Sequence, residues 1–214
     1  MNIQAAVPAD FESLGDNCEF GFVQRKNGIE PGGLLRWAIS FPDILTANIA
    51  NGFDCLYQFD NLTPHTPAMV SDAGTGLKFH SKLKSQNGVF IEDEAPRRVV
   101  HAEEAAKIGY LRDKLLQLLA SGRKHFIYKH NHGVSAGQAA QMANAIAAHG
   151  PAQLLIVHQD SDPLKASVVE RAGDNLFFGY LPAFAPYAAA TDFDLVAWMK
   201  LLENAAQVMP KPQA

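Results

Sequence analysis

Apolar and polar positions follow two periods along this chain, and the places where the period changes predict its elements. The clearest unit spans residues 125–158. Residues 125–129 alternate as a strand, Ser135 and Gln138 form a capping box for a helix through Ala148, Gly150-Pro151 stop it, and residues 154–158 make an apolar strand. A strand, a helix and a strand in that order imply a right-handed parallel crossover. Before this unit, Ile108, Leu111, Leu115 and Leu118 recur at helical spacing in a helix predicted over 102–120. Glu103 and Lys107 form its exposed pair and Ser121-Gly122 its stop. After it, residues 168–171 and 176–180 read as two strands, and Thr191 is expected to cap a last helix over 193–208.

The first hundred residues carry shorter signals. An apolar entry at Phe11 ends in a tight Gly15-Asp16-Asn17 turn, and a helix is expected to start near Cys18, with Phe20, Phe22 and Val23 as its apolar contribution. Residues 34–39 form a short apolar segment, and Pro42 fits the first turn of a helix running to Ala50 and closed by Asn51-Gly52. Residues 56–59 read as a strand. Short strands are expected at 68–70 and 77–81, and the turn Gln86-Asn87-Gly88 would join 77–83 with 89–92 in a hairpin. Pro96 separates that hairpin from the long helix. The whole predicts an α/β or α+β single domain over 1–209, with a mixed sheet and an N-terminal cysteine-bearing helix, followed by a tail at 210–214.

Composition narrows the function classes. Hydrophobic residues make up 48% and charged residues 19% of 214, an ordinary globular balance that argues against disorder. A net charge of -4 with no basic cluster longer than a pair gives no support for a nucleic-acid or anionic-membrane surface. The start lacks a secretory pattern and no run approaches the about 18 apolar residues of a membrane span, so a cytoplasmic location is expected. Two cysteines, Cys18 and Cys55, are too few for a disulfide framework. Trp37, Phe41, Phe53, Tyr57 and Phe59 are expected in the core.

Candidate chemistry begins at Cys18. A helix start collects unpaired N–H groups and the positive end of the helix dipole, both of which favour a thiolate. The run S-L-G-D-N-C at Ser13–Cys18, followed by E-F-G-F-V-Q-R and later L-L-R-W-A, resembles a bacterial family of unknown function described as papain-like cysteine peptidases. Where that family reads Pro-Phe-Asp-Trp, this chain has Leu34-Leu35-Arg36-Trp37 and keeps only the tryptophan. The family's aromatic-histidine pair resembles Phe79-His80, and its arginine-containing helix resembles the stretch Tyr110-Leu111-Arg112.

The resemblance implies a thiol hydrolase or acyl transferase in which Cys18 is the nucleophile and His80 the base. Glu92, or else Asp93, is expected on the strand beside His80 as orienter, and Asn17 or the Cys18 backbone N–H as oxyanion donor. The reading needs no cofactor or metal. Its substrate is left open among a small molecule, a peptide and a glycan. A second reading places a ligand site of a non-enzymatic or carbohydrate-related module at the ends of the parallel strands. There His130 and His132 share a face beside His158 and Asp160 and could bind a polar ligand or a divalent metal. Either His130 or His132 could replace His80 if it approached Cys18. Arg25 and Arg36 could hold an anion or pair with Glu19 or Glu30. The Gly-Asp-Asn turn also resembles the Gly-Asp-Ser start of one class of serine esterases, but Asn17 is no nucleophile and the chain contains no Asp-x-x-His pair.

Overall fold

A computed structural model describes residues 7–213. Its frame is a five-stranded sheet in the order β1-β7-β8-β10-β9. The strands are β1 (Phe11–Ser13), β7 (His125–Lys129), β8 (Leu154–Gln159), β10 (Leu176–Leu181) and β9 (Val169–Arg171). The first four run parallel and β9 closes one edge antiparallel, so the sheet is mixed and the chain is an α/β protein. The crossover from β7 to β8 is made by α4 (Ala136–Ala147), with the reciprocal Ser135–Gln138 capping box in place.

Both faces of the sheet are covered, which is why β7 is buried along its whole length. Phe126, Tyr128, Leu154, Ile156 and Leu176 point to one face, where α2 (Pro42–Ala50), the C-terminal half of α3 (Glu94–Ser121) and α4 pack. Ile127, Leu155, Val157 and Phe177 point to the other, against Phe20 and Val23 of α1 (Glu19–Lys26) and Trp198, Leu201 and Leu202 of α5 (Leu195–Val208). Among the described residues no helix is long and apolar enough to cross a membrane.

Between α1 and β7 the chain builds two small antiparallel units: β2 (Leu62–Thr66), β3 (Met69–Asp72) and β4 (Lys78–His80) in one sheet, and β5 (Ser85–Gln86) with β6 (Val89–Phe90) in another. Several expectations are corrected here. The turn at Asn87-Gly88 forms, with both residues at positive φ as a two-residue hairpin loop requires, but it joins only Ser85-Gln86 to Val89-Phe90. The partner of β4 is β3, with Met69 opposite His80, so Glu92 does not lie on a strand beside His80. The chain leaves the strand after His80 because the Glu104 carboxylate accepts from Lys82 N (2.7 Å) and Ser81 Oγ (2.7 Å).

Residues 56–59 are a turn and the start of a short 3-10 helix rather than a strand, since Phe53, Cys55 and Tyr57 all adopt positive φ. The long helix starts at Glu94, with Pro96 inside its first turn where a missing N–H costs nothing. Glu103 pairs with Lys82 (3.4 Å), not with Lys107. The last helix is capped by Asp194, whose side chain accepts from Ala197 N, in place of Thr191. After α5, Gln213 N donates to the Gly122 carbonyl and so ties the following stretch to the end of α3. Phe53 and Tyr57 are core residues, whereas Phe41 is 42% exposed.

Candidate active site

The site grows from the end of β1. Ser13 closes the strand, and Gly15 (φ 95°) and Asp16 (φ 78°) then turn the chain through the left-handed region. Gly15 is required there twice over, by its φ and because a Cβ would lie 2.8 Å from Ser40 Oγ. Ser40 Oγ donates to the Leu14 carbonyl and accepts from Asp16 N, both at 3.0 Å, which locks the turn to the segment before α2. Asn17 Oδ1 accepts from Glu19 N (2.9 Å) and so satisfies one of the free donors at the start of α1. Cys18 occupies the N-cap position, half-buried.

The same segment delivers His80. Ile39 and Lys78 exchange backbone hydrogen bonds (3.0 and 3.2 Å), which hang β4 on the residue next to Ser40. Two residues further along β4, His80 comes to the turn, and its Nε2 lies 3.9 Å from Cys18 Sγ. That is loose for a sulfur hydrogen bond and within the range of an unliganded nucleophile-base pair. Among the described residues no side chain is hydrogen-bonded to the other ring nitrogen of His80, and the side chain of exposed Glu92 makes no hydrogen bond.

Cys18 and His80 open onto a cleft of about 440 Å³. Ile39, Phe41, Met69, Tyr187 and Ala190 supply most of its wall, and Asp16, Asn17 and His132 its polar parts. Asn17 is 6% exposed, and its buried Nδ2 has no acceptor among the described residues. His80 also borders a second cleft of about 230 Å³, lined among others by Gly33, Trp37, Lys107 and Leu111. The imidazole therefore stands between two concavities, and Cys18 faces only the first.

Beneath the turn lies a buried charge cluster. Lys129 Nζ, at the end of β7, donates to Asn131 Oδ1 and forms ion pairs with Glu19 Oε2 (2.8 Å) and Asp16 Oδ2 (3.1 Å). Glu19 is completed by Trp198 Nε1 (2.9 Å) and Ala185 N (3.2 Å), and Asp16 by the Tyr187 hydroxyl (2.8 Å). Burial and the neighbouring Asp16 raise the Tyr187 phenol, so Tyr187 keeps its proton and remains the donor. Burial also pushes the Cys18 thiol up, with Arg25 opposing more weakly, so the resting sulfur is a neutral thiol despite its place at a helix start.

The second predicted site is divided: His130 and His158 line one cleft of about 400 Å³ at the ends of the parallel strands, together with Asn131, Gln159 and Ser161, whereas His132 does not line it. His132 turns into the Cys18 cleft, while His130 is buried behind it, with Nδ1 accepting from His132 N (3.3 Å) and Nε2 facing Asp16 Oδ1 at 3.5 Å. Burial lowers His130, partly offset by Asp16. His158 packs edge-on to Phe178 and stacks on Tyr180, and Asp160 pairs with Lys165 (3.1 Å). Among the described residues no group of three His, Cys, Asp or Glu side chains is placed to hold a metal ion. Arg25 and Arg36 both bind Glu30 and both lie over Trp37, and Arg36 also donates to the Gly21 and Ile29 carbonyls, which leaves buried Arg36 committed to the frame.

Sequence reasoning missed Ser40, Lys129, Glu19 and Tyr187, which position the turn. A lysine closing an otherwise apolar strand and a glutamate in the first turn of an apolar helix are the only local signals of that cluster. Comparison with protein-family models, curated proteins and solved structures finds no match to this chain.

Proposed function

We propose that the protein is a thiol-dependent hydrolase or acyl transferase with Cys18 as nucleophile and His80 as base. The observation that carries this reading is the 3.9 Å approach of Cys18 Sγ to His80 Nε2 at the mouth of a cleft, between elements 62 residues apart. The Ser-Leu-Gly-x-Asn-Cys resemblance supports it independently of geometry. The fold does not enter the argument, because open α/β sheets host many unrelated chemistries. The strand-end alternative would have Cys18 enclosed with no histidine beside it; His130 and His158 share a cleft there, but His132 faces Cys18 instead.

In this reading the His80 tautomer protonated on Nδ1 offers Nε2 as acceptor. As Sγ bonds to a substrate carbonyl carbon, Nε2 takes the thiol proton, and the carbonyl oxygen gains charge in the cleft that Asn17 helps to line, Asn17 being its candidate donor once the side chain turns toward it. Collapse breaks the bond to the leaving group, which receives the proton from His80. Water or another acceptor then releases the acyl group from sulfur. A thiol held neutral by burial fits this sequence, since the proton moves only when the electrophile is bound. Among the described residues no carboxylate is hydrogen-bonded to His80, so this reading uses a two-residue pair.

Iodoacetamide alkylation of Cys18 in the Cys55→Ser background, compared with and without His80→Ala, tests the pair. Loss of His80 is expected to slow alkylation at pH 7 by about tenfold or more, general-base assistance having that scale or larger. Equal rates would sink the proposal.

A further inference from the structure

We infer that the enzyme's substrates carry an uncharged apolar acyl group, bound in the Ile39–Phe41–Met69–Tyr187–Ala190 cleft, with the leaving group passing over His80 into the neighbouring cleft. The inference rests on the Cys18–His80 reading and adds the substrate class and its orientation. The base that takes the thiol proton must return it to the leaving group, so the leaving group lies on the imidazole's side of the scissile bond. His80 borders both clefts and Cys18 only the larger, so the larger cleft is left for the acyl part.

Five side chains of the acyl cleft are apolar or aromatic, its one carboxylate is Asp16, and among the described residues no lysine or arginine lines it. Asp16 is already engaged by Tyr187, Lys129 and His130, so it offers nothing to a cationic tail. An anionic tail would lose its hydration inside the cleft, since the nearest cation, Lys78 Nζ, lies over the Phe41 ring at the rim, 5.7 Å from its centroid, and not in the wall. Phe41, 42% exposed at the N-cap of α2, is an apolar ring held at the rim, as an acyl-binding wall requires. The volume of about 440 Å³ lies within the range of small-ligand pockets.

The acylation step balances without a co-reactant. The S–C bond forms, the C–O bond of an ester breaks, and the thiol proton travels through His80 to the alkoxide or phenolate that departs.

The test is acylation of the Cys55→Ser protein by p-nitrophenyl acetate, butyrate, hexanoate, octanoate and hemisuccinate, followed by nitrophenolate release and by the intact mass of the Cys18 adduct. Full burial multiplies the rate constant by about fourfold per methylene, from ~0.8 kcal/mol each, and a half-open wall by about twofold. Hexanoate is therefore expected to exceed acetate by about tenfold or more, and hemisuccinate to trail butyrate by at least about fivefold. Ala190→Phe, which fills the cleft from a partly exposed position, should flatten the series. A flat or falling series, a hemisuccinate as fast as butyrate, an unchanged series in Ala190→Phe, or no acylation by any ester overturns the inference while His80-dependent alkylation persists. Loss of that dependence instead removes the catalytic pair itself.

Discussion

Glu12 offers a direct check on the electrostatics of the frame. It sits in the middle of β1, 3% exposed, where a Cβ on Gly33 would overlap its carboxylate. Burial raises it from 4.5 to about 7, with Lys114, Lys124 and Arg36 only partly offsetting the desolvation. In the unfolded chain the same group ionises near the ordinary glutamate value of about 4.3. Between these limits the native state holds a proton that the unfolded state has released, so stability from this group is present below the unfolded value and declines as pH rises toward the folded one. At about 1.36 kcal/mol per pH unit, the decline totals roughly 4 kcal/mol, about 3 kcal/mol of it above pH 4.5. Glu12→Gln keeps the shape and removes the titration. Urea denaturation of both proteins between pH 4.5 and 8 should show the variant gaining on the parent by about 3 kcal/mol across that window, other groups cancelling in the difference. A difference that stays constant with pH, or that moves the other way, would refute the assignment of a buried, protonated Glu12.

Two further substitutions address the turn. Lys129→Met strands the Asp16 and Glu19 carboxylates and is expected to cost about 3–5 kcal/mol in urea denaturation, with Glu19→Gln in the same chain recovering part; a loss below about 1 kcal/mol would show that the cluster does not hold the turn. Asn17→Ala should lower the acylation rate constant by about 10²–10³ through loss of the oxyanion donor. Its removal as a cap costs only about 1 kcal/mol of stability, and a fall under about threefold in rate would take Asn17 out of the mechanism.

The long periodic elements were legible because their signal is local. The capping box of α4, the apolar β8 and the glycine stop of α3, with Gly122 at φ 63°, follow from neighbouring residues alone. The insert between α1 and β7 was harder, since its strands are decided by contacts. Pro64 lies inside β2, tolerated at an irregular edge where the register shifts between Pro64 and Thr66, and that proline concealed the strand. Missing β2 made β4 look like half of the Asn87-Gly88 hairpin, which in turn put Glu92 beside His80. At the site, the residues Cys18, His80 and Asn17 were legible as chemistry, while their placement depends on the Ser40 and Ile39–Lys78 links, which no spacing encodes.

The architecture also bears on why Cys18 is quiet at rest. A helix start alone would favour the thiolate, but here the N-cap is half-buried and desolvation prevails. Asp16, one residue from Asn17, is held in a left-handed conformation that an aspartate adopts at a cost of about 1 kcal/mol or more. Tyr187, Lys129 and Ser40 offset that strain by binding its side chain and its N–H from three distant parts of the chain. The bonds that hold Asp16 therefore also keep Cys18 recessed within reach of His80. A neutral thiol so placed reacts slowly with oxidants, which attack the thiolate. Under the proposed function, its reactivity is gated by whatever brings an electrophilic carbon between sulfur and imidazole, so that reading makes the shape of the apolar cleft, rather than the thiol's own acidity, the determinant of which substrates react.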